Sequence, residues 1–367
     1  MNKSISDYID ELLLNSGLFP SKRKLEWPSN NFDFTNETIL ITGAAGTIGS
    51  ELSKQLIKCK YKKLILVDIA ESPLYDLTKD LEFEDTTNVE IQILNITDEE
   101  SLKFLFKNHK PTLIFHTAAY KHVPLMESNP FVALKLNVLG TKHIADLSVE
   151  YKVKKFVFMS TDKAVNPISV MGITKFIAEK YLIELSQKSK TFFAITRFGN
   201  ILGSNGSVLP LFIKQLETTN SITLTDDKVS RYFIDKYKAC SLILKIATLD
   251  HLESNIFTFN MGKPIFIKEL AERLVLMQGV SKGKIEIKTI GLRPGEKLNE
   301  DIVSNDEELV NTNLQDILIV RKKTLSEIKK IDFTDLLNVT PQMSINEIKL
   351  VLRTYLNIIT FFFVSFL

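Results

Sequence analysis

The chain has 367 residues, 44% hydrophobic and 25% charged, with a formal net charge of +2. That composition fits an ordinary folded protein of about two domains, at roughly 150 residues each, and gives no strong field for nucleic acid or an acidic membrane surface. Cys59 and Cys240 lie far apart and the first ten residues hold no apolar signal core, so both are expected as reduced thiols in a cytoplasmic protein.

In chain order, residues 1–36 read as an N-terminal arm with one short helix candidate at Tyr8–Leu14 and the single tryptophan, Trp27. The arm is expected to pack on a neighbouring domain or subunit. From Glu37 the pattern becomes regular, with apolar strands near 38–42, 63–67, 89–94, 112–115, 155–160 and 191–196 separated by helical stretches. Strands rich in Val, Ile, Leu and Phe that alternate with helices predict a parallel sheet covered on both faces. After Thr196 the rhythm breaks into the loop 197–206, helices at Val208–Leu216, Lys236–Leu249 and Ile267–Gln278, a strand at Ile222–Thr225 and a turn at Gly291–Lys297. Ser344 and Glu347 form a capping-box signature that opens a last helix. The tail from Ile358 to Leu367 is strongly apolar but shorter than the ~20 residues that span a bilayer. It reads as a buried or interface-packing segment, a membrane-surface contact, or sequence beyond the domain's end.

The stretch ThrIleLeuIleThrGlyAlaAlaGlyThrIleGlySer places Gly43, Gly46 and Gly49 between the first strand and the first helix, with Ala45, Thr47 and Ile48 in the same turn. Glycines here permit a tight turn, close approach of backbone N–H groups to a pyrophosphate, and close helix packing. Asp68, after the second strand, is placed to accept from a ribose 2′-hydroxyl and to repel a 2′-phosphate, favouring NAD over NADP; its other reading is a turn-forming strand terminator. Asn95 and Ile96 end the third strand, where an adenine edge would lie. Ala118 and Ala119 follow the fourth and are small enough to admit a cofactor, with Tyr120 beside them. His116 and His122 lack a third ligand of suitable spacing, so no metal site is expected.

These signals define an α/β fold: a Rossmann-type doubly wound parallel sheet at 37–200, joined by elements from later in the chain. A smaller, mixed α/β substrate-binding lobe mainly at 201–330 and a C-terminal helix and tail at 331–367 complete the expected organisation. Ser160–Lys175 is the candidate reaction centre. Thr161, Asp162 and Lys163 put a hydroxyl, a carboxylate and an amine at the carboxyl end of a buried strand, as acid/base chemistry in an open α/β sheet requires. The alternative is a solvated turn with an ordinary surface ion pair. Ser160 belongs with the cofactor contacts. Lys175 lies four residues after Met171 and shares its helix face. In short-chain dehydrogenases/reductases, which this pattern resembles, that face carries Tyr and a Lys that holds the nicotinamide ribose. Met171 stands at the tyrosine position and cannot transfer a proton.

Five motifs in order, from the glycine turn through AlaAlaTyrLysHisValProLeuMetGlu, SerThrAspLysAlaValAsnPro with MetGlyIleThrLys, ArgPheGlyAsnIleLeuGlySer and GlyLeuArgProGlyGluLys, resemble the CapD-like UDP-N-acetylhexosamine 4,6-dehydratases of bacterial polysaccharide synthesis. The resemblance runs from about Thr38 to Ile302 and is to the short form without N-terminal membrane helices. It implies bound NAD, a UDP-sugar substrate, most simply UDP-N-acetylglucosamine, and a homo-oligomer. It also allows downstream partners such as an aminotransferase or reductase. By the same resemblance Lys163 is the base at sugar C5, Asp162 the acid at C6, and Thr161 a partner of the C4 oxygen. Asn200, Arg231, Arg293 and Glu296 are expected around the UDP, and Lys121 and Glu127 at the sugar. The segments after ArgTyrPhe (231–233) and at LeuAsnGlu (298–300) depart from the usual family text. A nucleotide-sugar 4-epimerase is the nearer rival and would want a proton-transferring tyrosine; a non-enzymatic dinucleotide sensor would not need Asp162 and Lys163. Retention or inversion at C5 is left open.

Overall fold

The computed structural model describes residues 3–19, 32–249, 254–279, 285–324 and 330–360; Trp27 and residues 361–367 of the apolar tail lie outside them. Six strands, β1 (Asp33–Thr42), β2 (Lys60–Asp68), β3 (Val89–Ile93), β4 (Leu113–His116), β5 (Lys155–Met159) and β6 (Phe192–Arg197), lie in the order β3-β2-β1-β4-β5-β6. All their pairings are parallel. A seventh strand, Ile256–Phe259, adds parallel to β6. An antiparallel pair, Ile317–Lys322 and Glu307–Asn311, then completes a nine-stranded sheet. The doubly wound parallel sheet expected from the sequence is therefore present, and residues beyond 250 extend it.

Side chains that alternate along each strand divide between two cores. On β1, Leu40 enters one with Ile65, Ile114, Phe156 and the helix Val170–Lys188, while Ile39 and Ile41 enter the other with Leu52, Leu64 and Phe257. This two-sided burial is why the strands read as continuous apolar runs. The C-terminal helix Ile345–Thr360 packs Ile348, Leu352 and Tyr355 into the first core. Its Ser344–Glu347 capping box forms as expected, with the Ser344 N–H donating to Glu347 at 2.7 Å.

A third core belongs to the lobe. The arm contributes a helix at Lys3–Asn15, longer than the candidate at Tyr8–Leu14, and its Ile9, Leu12 and Leu13 pack with Leu209, Phe212, Phe233, Leu270 and Leu274. Tyr8 fixes this docking by donating to the Met261 carbonyl at 3.0 Å, and Asp10 pairs with Arg273. The residues of the arm end earlier than position 36, because β1 already begins at Asp33. Among the described residues no helix is long and apolar enough to cross a membrane.

Candidate active site

The sheet order reverses between β1 and β4, which opens a crevice at their carboxyl ends. The glycine turn lies there. Gly43 has φ +71°, and a Cβ on it would sit 2.6 Å from the Ala118 amide nitrogen, so only glycine lets the β1 and β4 exits approach so closely. The helix Thr47–Leu56 starts at Gly46 with no side-chain cap and no acidic residue in its first turn. Its free amides and positive dipole end face the crevice, which fits the phosphates of a dinucleotide. Asp68 closes the turn from β2: Oδ2 accepts from the Ala45 N–H and Oδ1 from the Ala70 N–H, both at 2.9 Å. The turn-forming reading of Asp68 is thus observed, and its carboxylate keeps further lone pairs beyond these two bonds. Asn95 accepts from the Thr97 N–H at 3.0 Å in an Asx turn, and Ile96 is buried against Gly140.

His116 ends β4, fully buried, with Nδ1 2.6 Å from the Thr42 hydroxyl and Nε2 2.9 Å from that of Thr141. Burial, followed by the nearby Lys175 ammonium, holds its pKa well below the usual histidine range. Both ring nitrogens are thus used in joining β1, β4 and the helix Thr141–Glu150.

Strand β5 delivers Ser160–Lys163 to the same edge. Thr161 caps a single 3-10 turn, Asp162–Ala164, and its hydroxyl donates to Asp162 Oδ1 at 2.9 Å. Asp162 has no exposed surface. The Lys163 ammonium donates to the same Oδ1 at 2.9 Å and to Asn200 Oδ1 at 3.3 Å, and its side chain keeps 20% exposure. The turn is held by the following helix: a Cβ at Gly172 would lie 2.3 Å from the Lys163 carbonyl oxygen, so helix and turn touch backbone to backbone. This is not a solvated surface pair. Lys175 is buried, donates to the Met159 carbonyl at 2.8 Å and sits 4.3 Å above the Phe158 ring. Burial, opposed by Glu179, lowers its pKa to about 7. Met171 is packed in the core of that helix.

The residues expected at the substrate divide into two groups. Asn200 meets Lys163, and Lys121 and Arg293 are exposed, as is Tyr120 of the cofactor group. Three others brace the site. Glu127 accepts from the Val170 N–H at 2.7 Å and pairs with Lys349 at 2.6 Å, tying the start of the helix Val170–Lys188 to the C-terminal helix. Arg231 donates to the Ser230, Leu298 and Lys297 carbonyls at 2.7, 2.8 and 2.8 Å. Glu296 accepts from Thr225 at 3.0 Å and from the Arg293 N–H at 3.2 Å.

Two residues not singled out from sequence stand in the site. Asn137, fully buried in a π-helical stretch at Leu134–Gly140, accepts from the Tyr120 N–H and donates to the Tyr120 carbonyl and to Thr174. An asparagine inside LeuLysLeuAsnValLeuGly was the available signal, because an amide amid apolar residues needs several partners. Glu300 lies 3.8 Å from Lys163 Nζ. Its signal was weaker, since it falls in a segment that departs from the family pattern.

The parallel sheet, glycine turn and Thr-Asp-Lys strand end together define the short-chain dehydrogenase/reductase fold. Residues 39–322 match the polysaccharide biosynthesis protein family, and the chain belongs to that family. It is 41% identical over 278 residues to the capsular polysaccharide biosynthesis protein CapD of Staphylococcus aureus, covering 75% of this chain and 46% of CapD. The chain thus spans about half the length of that relative. It is 32% identical over 282 residues to a UDP-glucose 4-epimerase of Rickettsia bellii, covering 75% of this chain and 80% of that protein. Among solved structures, Pen from Bacillus thuringiensis matches with a TM-score of 0.71 at 33% identity, over 79% of this chain and 90% of Pen. The CapD-like kinship read from the motifs is borne out.

Proposed function

We propose that this protein dehydrates a UDP-N-acetylhexosamine, most simply UDP-N-acetylglucosamine, to the 4-keto-6-deoxy sugar for surface polysaccharide synthesis. The observation that carries this reading is the Thr161–Asp162–Lys163 cluster, a buried acid beside an amine at the crevice edge. Bound NAD would supply a hydride acceptor for sugar C4 and a hydride donor for C6. Gly43, the free amides after Gly46, Asp68 and Ala118 would hold it, and Lys175 would address its ribose.

The chain's own residues then move the protons. With Met171 at the tyrosine position, the C4 hydroxyl proton needs another route, and the Thr161 hydroxyl already donates to Asp162 Oδ1. Thr161 passes the C4 proton to Asp162, which becomes the acid that the C6 hydroxyl needs to leave as water. The 4-ketone acidifies C5–H, and the Lys163 free amine takes that proton. Lys163 then gives a proton back to C5, so the protons balance without a tyrosine. Asn200 steadies the amine, and Lys121 and Arg293 border the UDP-sugar.

A UDP-sugar 4-epimerase is the second reading, favoured by the Rickettsia relative. Product mass separates the two. With UDP-N-acetylglucosamine, dehydration yields a product lighter by one water, and epimerisation an isomer of unchanged mass; the latter result overturns the proposal.

A further inference from the structure

The geometry points to Glu300 as a positioning residue for Lys163, the second carboxylate that, opposite Asp162, holds the Lys163 amine in place at the end of β5. The inference rests on the reading of Lys163 as the C5 base and adds a residue to it. Lys163 Nζ lies between two buried carboxylates, 2.9 Å from Asp162 Oδ1 and 3.8 Å from Glu300 Oε1. Each carboxylate keeps one buried oxygen, Asp162 Oδ2 and Glu300 Oε2, without a hydrogen-bond partner among the described residues. Burying a carboxylate with an open acceptor is costly, and such atoms in a folded protein call for a chemical reason.

The loop that presents Glu300 is fixed from several sides. Arg231 holds the Lys297 and Leu298 carbonyls, the Ser230 N–H donates to the Leu298 carbonyl at 3.0 Å, and the Ser230 hydroxyl donates to Asn299 at 2.7 Å. The Lys297 ammonium donates to the Val165 carbonyl at 3.0 Å, joining the same loop to the segment after the 3-10 turn. These bonds explain why Arg231 faces backbone instead of the crevice: it builds the platform that aims Glu300 at Lys163. The charged groups facing Glu300 are Lys163, Lys297 at 3.9 Å, Arg231 and Asp162. Burial raises its pKa first, with Lys163 opposing and Asp162 adding to the rise.

A carboxylate at this distance attracts the Lys163 amine and keeps its Nζ in place between the two acids. Replacing it with a neutral amide therefore loosens the base from the position at which it meets C5–H. The test is the split between kcat and KM, with C5 deuterium incorporation as a second readout, in E300Q and E300D. For E300Q we expect kcat and the rate of C5 deuterium incorporation to fall together by about tenfold and KM to stay within about twofold. E300D, which keeps the charge on a shorter side chain, gives a smaller fall in both at the same KM, so it decides the matter if E300Q does not fold. An unchanged kcat in whichever variant folds overturns the proposal, as does a fall in kcat with C5 deuterium incorporation at the wild-type rate. Loss of deuterium incorporation in K163A tests the base assignment itself: if K163A retains it, the underlying reading fails, whereas an unchanged kcat in E300Q sinks only the role of Glu300.

Discussion

Two buried clusters of charge flank the end of β5 and differ in one respect. In the first, Arg197 donates Nε and Nη2 to Glu179 and Nη1 to Glu307, at 2.7 Å for the closest contact with each, and Ser160 donates to Glu179. The Ser304 N–H donates to Glu307 at 3.0 Å, and none of these side chains is left with a buried atom lacking a partner. In the second, Asp162, Lys163 and Glu300 share fewer bonds, and two carboxylate oxygens stay open. The ingredients are alike; saturation separates them. A saturated network joins the helix Val170–Lys188, β6 and the strand Glu307–Asn311 into one unit, and an unsaturated one leaves acceptors for a ligand to complete.

That contrast can be broken by experiment. D162N keeps the Oδ1 acceptor for Thr161 and Lys163 but removes the acid, so turnover should fall by about 10²–10⁴-fold while unfolding free energy changes by less than about 1 kcal/mol. R197A should do the reverse. Stranding Glu179 and Glu307 costs about 3–5 kcal/mol in urea unfolding, with residual turnover in the folded fraction. If D162N destabilises as much as R197A, the distinction between brace and reaction centre fails.

Lys175, between the clusters, gives a smaller and pH-dependent effect. Its folded pKa of about 7 lies below the unfolded value of 10.5, so between those limits the unfolded chain binds more protons and stability rises with pH. Below pH 7 the cost of burying the ammonium is felt in full. K175M without cofactor should therefore stabilise more at pH 6 than at pH 9, by about 2–3 kcal/mol. Equal gains at both would show that Lys175 is not held near neutrality.

The parallel sheet, the glycine turn and the Thr-Asp-Lys strand end were legible in sequence, because each is written in contiguous residues: apolar runs, spaced glycines and a charged triplet after a buried strand. The roles of Arg231, Glu127 and Glu296 were not. An arginine that binds phosphate and one that pins a loop's carbonyls look alike in sequence, and only the fold brings Arg231 to Lys297 and Leu298. Glu300 was obscured for the same reason, since its partner Lys163 is far away along the chain. The arm was expected to pack on a neighbouring domain or subunit, but which of its residues do so, Ile9 and Leu13 among them, is set by the fold.

The most direct measurement follows UDP-N-acetylglucosamine by proton NMR in D2O with wild-type protein and K163A. A new C6 methyl signal with deuterium at C5 is expected for the wild type, and neither for K163A although cofactor stays bound. A wild-type product without the methyl group, or full turnover by K163A, would contradict the proposed dehydration.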